Sequence, residues 1–228
     1  LKSILNEIKS DKHGQFTNYL RGFYSKGDKE NYGVHKRKLP VVTFCGSFGE
    51  ERTKEFLKNY NYLIVLDIDK LGGDELERVK RMLSEDNHVF SFWESPSKDG
   101  IKGLVHIKYN FDIDKTGIDN SHKIAFSQLV DYFLERYQIE LDKSGSDITR
   151  LCFISQDKEL ILKDKIVSFD VEFKPIQNTS KKSNNRKIKF SRSISSKDVL
   201  FNPNGRNNAY HRKTIKNIIK FLTKNSLS

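Results

Sequence analysis

The apolar residues among the first 60 positions predict a small module of helices and one strand. Ile4, Leu5 and Ile8 recur at helical spacing and predict an N-terminal helix. The apolar run in "LPVVTFCGSF" predicts a strand that is closed by Gly46. The "EERTKEFLKNY" segment that follows predicts a short helix. We therefore expect an α/β module over residues 1–60.

From residue 61 the apolar runs become longer. "NYLIVLDIDKLGG" predicts a buried strand that ends in two acids. "DELERVKRMLSED" repeats apolar residues at helical spacing, with Asp74 as the expected N-cap. "VFSFWES" and "LVHIKYNF" predict the two strands of a hairpin, joined by a turn at "PSKDGIKG".

The remaining pattern completes an α+β order. "SHKIAFSQLVDYFLERYQ" has one continuous apolar face and predicts a helix, and "RLCFIS" and "VSFDVEFK" predict two further strands. The order strand, helix, hairpin, helix, strand, strand favours an RRM-like mixed or antiparallel sheet backed by helices. We predict one domain over residues 1–175, with modules 1–60 and 61–175 and a cleft between them.

Charge is distributed unevenly along the chain. Of its 41 basic residues, 14 lie in residues 174–228 against one of its 30 acids, so that segment carries +13 and residues 1–173 carry −2. We interpret residues 176–200 as a basic linker. Residues 201–228 are interpreted as the start of a helical C-terminal module, so we expect the chain to be part of a longer protein. Although a charge run alone is more often a solvated tail, a polyanion is the partner that this composition favours.

Composition narrows the class of protein further. The longest apolar runs are far shorter than the roughly 20 residues that a membrane span needs, and the first residues lack the apolar core of a signal peptide. We therefore expect a cytoplasmic protein with no membrane partner. The only two cysteines, Cys45 and Cys152, are far apart in sequence and are expected to be buried thiols.

The acids at the end of the first long strand suggest metal chemistry. Side chains two apart on a strand share a face, so Asp67 and Asp69 are expected to point together. Two neighbouring carboxylates repel each other unless a proton or a cation lies between them, and oxygen ligands of this kind suit Mg²⁺ or Mn²⁺. The alternative is a pair of solvated acids at a strand end.

The hairpin offers groups that could bind phosphate. Its second strand is expected to place Leu104, His106 and Lys108 on one face, with Lys102 at the strand entrance. A histidine and lysines near metal-binding acids would suit a triphosphate. A lone histidine on a strand is more often simply half-exposed.

A third charged segment follows the long helix. "ELDKSGSDITR" contains Asp142, Asp147 and Arg150 around a Ser-Gly-Ser turn. Either acid could complete a metal site, and an arginine can bind phosphate through two donors. Asp147 could instead only cap the turn.

These three segments, in this order, resemble the primase-polymerase group of the archaeo-eukaryotic primase superfamily. The similarity covers roughly residues 38–170 and includes Asp67 and Asp69, His106 and the acid-to-Arg150 segment. More narrowly, "LDIDKL", "SPSKDGIKGLVHI" and "SGSDITRLCFIS" resemble the N-terminal domain of virulence-associated protein E-like and mobile-element proteins, and relatives of CRISPR-associated primase-polymerases.

This resemblance implies residue roles. Asp67, Asp69 and Asp142 would hold two Mg²⁺ or Mn²⁺ ions, with Asp147 as the alternative third acid. We prefer Asp142, because it follows an apolar residue and precedes Arg150 by eight positions, as in the family pattern. Family members often have serine two positions before the histidine, where this chain has Leu104, so Ser95 or Ser97 is the candidate for that contact. The other expected contacts of the nucleotide are His106, Lys102, Arg150 and Lys108. The expected nucleic-acid contacts are Arg21, Lys36, Arg37, Lys38, Lys187, Lys189 and Arg192.

The resemblance also implies an activity. A primase-polymerase would synthesise and extend strands on a single-stranded DNA template, using nucleoside triphosphates, and the expected protein partner is a helicase or a CRISPR adaptation protein. The chain lacks the cysteine-rich zinc module that many primases carry, so nucleotidyl transfer is expected more firmly than initiation. Two alternatives stay open: a haloacid-dehalogenase-like phosphatase, which also has Asp-x-Asp after a buried strand, and a noncatalytic module that binds single-stranded nucleic acid.

Overall fold

The computed structural model describes residues 1–173, which form an α+β fold with antiparallel sheets, as expected. The helices of this part are α1 (Lys2–Lys9), α2 (Gly14–Ser25), α3 (Lys29–Lys36), α4 (Gly73–Glu85), α5 (Ile113–Thr116) and α6 (Ile118–Tyr137). Its strands are β1 (Val41–Val42), β2 (Gly46–Phe48), β3 (Leu57–Tyr60), β4 (Leu63–Ile68), β5 (Val89–Glu94), β6 (Ile101–Tyr109), β7 (Cys152–Phe153), β8 (Ile161–Leu162) and β9 (Phe169–Val171).

The main sheet has the strand order β4-β6-β5-β8, with every neighbour antiparallel. Strand β6 lies between β4 and β5, and its far end also pairs in parallel with β9. The helix α4 connects β4 to β5, which run in the same direction on either side of β6. Six consecutive residue pairs fix the register of β4 against β6, and this register decides which side chains meet at the end of β4.

Both faces of β4 are buried, each in its own core. Ile64, Leu66 and Ile68 pack with residues of α4 and α6, whereas Leu63 and Val65 pack in a second core that includes residues of α1. The alternation follows from the two-residue period of a strand. Because Asp67 shares the parity of Leu63 and Val65, its carboxylate lies on the second side of the sheet.

Two elements predicted in the first 60 residues differ from the structure. The single strand expected in "LPVVTFCGSF" is divided into β1, which pairs with β7, and β2, which pairs with β3. The helix expected in "EERTKEFLKNY" is only one 3-10 turn, Lys54–Phe56, followed by strand β3. Pairing with β2 satisfies the backbone of residues 57–60, so tertiary contacts override the local helical pattern.

Smaller differences occur elsewhere. Gly72, and not Asp74, is the N-cap of α4, and Asp74 lies in its first turn. Strand β6 begins at Ile101, so the hairpin turn is shorter than the predicted "PSKDGIKG". Strand β8 has no counterpart among the predicted elements.

Several expectations fall on residues beyond 173. The basic linker at 176–200, the helical module at 201–228 and the contacts expected of Lys187, Lys189 and Arg192 all lie outside the described residues. Within residues 1–173, no helix combines the length and the apolar character needed to cross a membrane. Cys45 and Cys152 are buried free thiols, as expected, and burial raises their pKa values to about 12 and about 11.

Candidate functional site

Two acids meet at the end of β4. Asp67 is the penultimate residue of the strand, Asp69 follows it immediately, and both line one cleft of about 350 Å³. Asp67 is 3% exposed, whereas Asp69 reaches solvent at the mouth of the cleft. Loss of hydration against the cleft wall, and then the charge of Asp67, raise the pKa of Asp69 above its ordinary value. The two carboxylates therefore act on each other, as the strand pattern predicts.

The hairpin brings Lys102 to the same point. In the antiparallel pairing of β4 with β6, Lys102 lies opposite Asp67, and its Nζ is 2.5 Å from Asp67 Oδ1. Gly100 permits this close approach, since a Cβ there would be only 2.6 Å from the backbone oxygen of Ile68. Lys102 is buried with Asp67, and the pair forms the floor of the cleft.

The third charged segment is anchored to the same strand. The Asp142 backbone N–H donates to the backbone oxygen of Asp67 at 2.8 Å. Further along, Arg150 Nη2 donates to Asp67 Oδ2 at 3.1 Å. The three segments singled out in the sequence therefore converge on Asp67.

Asp147 is among the residues that line this cleft, whereas Asp142 is not. Asp142 Oδ1 accepts the Ser144 N–H at 2.7 Å, and hydrogen bonding from Ser144 lowers the pKa of Asp142. Its charge is one of those that raise the pKa of Asp69, so it acts on the acidic pair. Asp147 lines the cleft directly, but both of its oxygens accept hydrogen bonds from the Thr149 hydroxyl. Both acids thus accept hydrogen bonds that shape turns, and the charge of Asp142 contributes to the raised pKa of Asp69.

A chain of hydroxyl groups forms the wall on the hairpin side. Ser95 and Ser97 line the cleft, and their Oγ atoms are 3.0 Å apart. The Ser97 hydroxyl donates to one oxygen of Asp99, and the Tyr24 hydroxyl of α2 donates to the other. The bond to Asp99 raises the pKa of Tyr24 to about 12. Ser97, predicted as a nucleotide contact, is therefore held at the cleft by a bridge to the N-terminal helices.

Two cations from the first 60 residues complete the cleft. Lys36 of α3 is half-buried, and its Nζ lies 5.3 Å from the centroid of the Phe153 ring. Burial lowers the pKa of Lys36. Arg52 lines the opposite wall and donates to the backbone oxygen of Thr149. Lys36 was predicted from the sequence only as a nucleic-acid contact. Arg52 was not predicted as a site residue, because an arginine in an irregular loop carries no periodic signal.

His106 and Lys108, which were expected at the phosphates, do not lie in this cleft. His106 pairs in register with Leu63, four residues along β6 from Lys102, or about 13 Å at the rise of a strand. Its Nδ1 is 2.8 Å from the Ser168 hydroxyl, and it lines a different cavity of about 390 Å³ with Tyr62 and Lys108. The face of β6 was predicted correctly, but its register against β4 puts Lys102 at the acids instead.

The nucleic-acid contacts predicted in residues 21–38 are only partly exposed. Arg37 and Lys38 are exposed at the end of α3, close in sequence to the cleft residue Lys36. Arg21 instead points inward, with its Nη2 at 3.4 Å from the Gln156 backbone oxygen and 3.8 Å from Glu94 Oε2. Arg21 therefore joins the N-terminal helices to the sheet.

The acids fit a divalent cation only in part. Within residues 1–173, no three acidic, histidine or cysteine side chains are close enough together to hold a metal ion. Asp67 Oδ1 is nevertheless buried without a hydrogen-bond partner among the described residues, because Lys102 Nζ approaches it out of line for a hydrogen bond. Since Mg²⁺ is commonly held by one or two carboxylates together with substrate phosphates, this donor set suits an ion that arrives with a phosphate ligand.

Comparison with known proteins gives one match. The family model described as "BT4734-like, N-terminal domain" matches residues 34–161, which contain all the cleft residues named above except Tyr24. Searches of curated proteins and of solved structures each found no match.

Proposed function

The chain belongs to the family of BT4734-like N-terminal domains, and from its charged cleft we propose that it is a DNA-directed nucleotidyltransferase of the primase-polymerase type. The observation that carries this proposal is the presence of three carboxylates and four cations in one cleft: Asp67, Asp69, Asp147, Lys36, Arg52, Lys102 and Arg150. Carboxylates suit the metal of a metal-bound triphosphate, and cations suit its phosphates. Both halves of such a substrate thus find complementary groups.

The side chains have distinct roles in the proposed reaction. A strand 3′-hydroxyl attacks the α-phosphate of the incoming nucleotide, a new phosphodiester bond forms, and the bond to pyrophosphate breaks. Lys102 and Arg150 bind the triphosphate and stabilise the leaving pyrophosphate. Ser95 and Ser97 donate hydrogen bonds from the hairpin wall, and Lys36 binds phosphate from the side of α3.

Asp67 and Asp69 would hold the divalent cation, with Asp142 as the third acid. When bound, Mg²⁺ or Mn²⁺ would neutralise charge that develops on the transferring phosphoryl group. Asp142 is proposed over Asp147 because its backbone N–H is bonded to the backbone oxygen of Asp67 and because both oxygens of Asp147 already accept hydrogen bonds from Thr149, although Asp147 is the acid that lines the cleft. The exposed Arg37 and Lys38 are proposed to bind phosphates of the template.

The proposal includes two finer features of the fold. The strand order β4-β6-β5, with α4 between the parallel strands β4 and β5, agrees with the first three strands of a split βαβ arrangement, as in RRM-like folds. Lys36 and Arg52 come from residues 1–60 and the acids from residues 61–175, which supports an active-site cleft between the two modules.

The noncatalytic alternative has less support. An RRM-like module that binds single strands stacks bases on exposed aromatic residues of its central strands. Here the aromatic residues Phe90, Phe92 and Trp93 of β5 are all buried in the two cores. The phosphatase alternative is disfavoured by the motif itself, because Leu71 stands two residues after the second aspartate, where that family has threonine or valine.

The test is nucleotide incorporation by the purified full chain. An unprimed single-stranded DNA template and a primed one are each incubated with labelled nucleotides and Mg²⁺ or Mn²⁺, and products are separated on a gel. We expect extension of the primed template by the wild type and none by Asp69→Asn. Products on the unprimed template would add primer synthesis. Absence of incorporation on both templates with both metals, by folded protein, would reject the proposal.

A further inference from the structure

Asp67 is held between two cations of unequal exposure. Its carboxylate has Lys102 Nζ at 2.5 Å from Oδ1 and Arg150 Nη2 at 3.1 Å from Oδ2. The Lys102 side chain is 9% exposed, whereas that of Arg150 is 37% exposed and extends from a loop. Both oxygens that a metal would use are therefore already faced by positive charge.

This arrangement disfavours the binding of a divalent cation without a triphosphate, and of a triphosphate without a divalent cation. A divalent cation at Asp67 would meet two positive groups beside its ligand, and a triphosphate at Lys102 and Arg150 would meet Asp67 and Asp69. Together the two ligands cancel these repulsions, since the phosphates attract the cations and the metal attracts the carboxylates. Lys102 and Arg150 line the same cleft as both acids, so a change of partner needs only side-chain movement.

We propose that Lys102 and Arg150 exchange partners during binding, leaving Asp67 for the phosphates of the substrate and so releasing its carboxylate to the metal. This inference rests on the proposed function and adds a regulation of the same site. It makes the binding of divalent cation and triphosphate mutually dependent, with a positive coupling of roughly tenfold or more. A metal alone then binds weakly, and the site assembles only around a complete substrate.

The exchange has a signature that simple phosphate binding lacks. If Lys102 and Arg150 block Asp67, removing either cation should tighten metal binding in the absence of phosphate, while it weakens phosphate binding. If they only bind phosphate, or only hold the fold together, metal binding should stay unchanged or weaken. The direction of the effect on metal affinity therefore decides between the two.

The experiment is calorimetric titration of the full chain with Mn²⁺ in phosphate-free buffer, and separately with tripolyphosphate in the presence of a chelator. Arg150→Gln is the first variant, because its side chain is partly exposed and its loss endangers the fold least. We expect Mn²⁺ to bind roughly fivefold or more tightly to this variant than to the wild type, and tripolyphosphate to bind several-fold more weakly. Lys102→Met is the second variant, with thermal melting to check that it folds. Lys98→Met is the matched control, since Lys98 is an exposed lysine of the same hairpin and should change neither affinity.

Each outcome bears on the proposal. Unchanged or weaker Mn²⁺ binding to Arg150→Gln overturns the exchange, as does an absence of measurable Mn²⁺ binding to every variant. The incorporation assay on the wild type separates this from failure of the proposed function. If the wild type incorporates nucleotide but Arg150→Gln does not bind Mn²⁺ more tightly, only the partner exchange is rejected. If Arg150→Gln binds Mn²⁺ more tightly but the wild type incorporates no nucleotide, the partner exchange is supported and the polymerase assignment is rejected.

Discussion

Lys102 lies directly across from Asp67 in the pairing of β6 with β4, and their charged atoms are 2.5 Å apart in a nearly closed environment. Asp67 therefore has a structural partner as well as a proposed metal. Asp69, one residue beyond the strand, has no ion pair among the described residues and has a raised pKa. Replacing Asp67 and replacing Asp69 should therefore affect the stability of the fold differently.

Replacing each acid separately should separate stability from activity. Asp69→Asn should abolish nucleotide incorporation and leave the melting temperature unchanged or slightly higher, because it removes repulsion. Asp67→Asn should also abolish incorporation but lower the free energy of unfolding by roughly 3 kcal/mol, since it leaves Lys102 buried without its counter-charge. Urea denaturation and the gel assay measure the two quantities. Equal stability of both variants would show that the pair with Lys102 contributes little.

The two acids after the long helix can be compared in the same way. Asp142→Asn should abolish metal-dependent incorporation, because Asp142 is the proposed third ligand of the metal. Asp147→Asn should keep most activity and mainly reduce stability, by about 1 kcal/mol, because its carboxylate accepts the Thr149 hydroxyl and N–H. An inactive but stable Asp147→Asn beside an active Asp142→Asn would reverse the assignment.

Gly145 connects the core to the site, and its substitution can be compared with that of a glycine at which an added Cβ would meet no other atom. A Cβ at Gly145 would overlap the Phe126 ring and lie 2.8 Å from the Val65 backbone oxygen. Gly145→Ala should therefore lower the free energy of unfolding by roughly 1–3 kcal/mol and reduce incorporation by displacing the segment of Asp142. Gly33→Ala in α3 is the control, because nothing lies within 4 Å of the added atom. It should be neutral or stabilising by about 0.5 kcal/mol. Equal effects of the two substitutions in urea denaturation would contradict this.

His122 should make the fold sensitive to acid. Its ring is buried between the Tyr60 hydroxyl and the Gly145 backbone oxygen, and burial lowers its pKa to about 4 from 6.5. An unfolded chain binds the proton first, so this group has no effect above pH 6.5 and destabilises the fold increasingly as pH falls towards 4. The full loss is roughly 3 kcal/mol.

The measurement is urea denaturation of wild type and His122→Gln between pH 7.5 and 4. The variant should be less stable at pH 7.5 but should lose less stability on acidification. Parallel curves for wild type and His122→Gln would assign the acid sensitivity to other groups.

The basic segment beyond the described residues is tested by deletion. Removal of residues 178–228 should weaken binding to single-stranded DNA and flatten the dependence of affinity on salt, since this segment supplies most of the excess positive charge. Fluorescence anisotropy at several salt concentrations measures the slope. If the slope of affinity against salt is unchanged, residues 178–228 are a solvated tail that does not contact DNA. The phosphate contacts would then come from residues such as Arg37 and Lys38.

Local periodicity was enough to predict several features of this protein. The two-residue period of a strand placed Asp67 and Asp69 on one side of β4, and it identified the face of β6 that carries Lys102 and His106. Helical spacing predicted α1, α4 and α6, because the pattern of an amphipathic element depends only on residues near each other in sequence. The division of charge at residue 174 likewise needed only counting.

The identity of the residue opposite Asp67 was decided by the tertiary structure alone. Both Lys102 and His106 lie on the correct face, and only the register of β6 against β4 selects Lys102. That register depends on contacts between residues distant in sequence, such as the close approach of Gly100 to the Ile68 backbone oxygen at the end of β4. The position of Arg52 in the cleft was also decided by the tertiary structure. A loop side chain has no sequence period, and Arg52 is placed by its hydrogen bond to the backbone oxygen of Thr149.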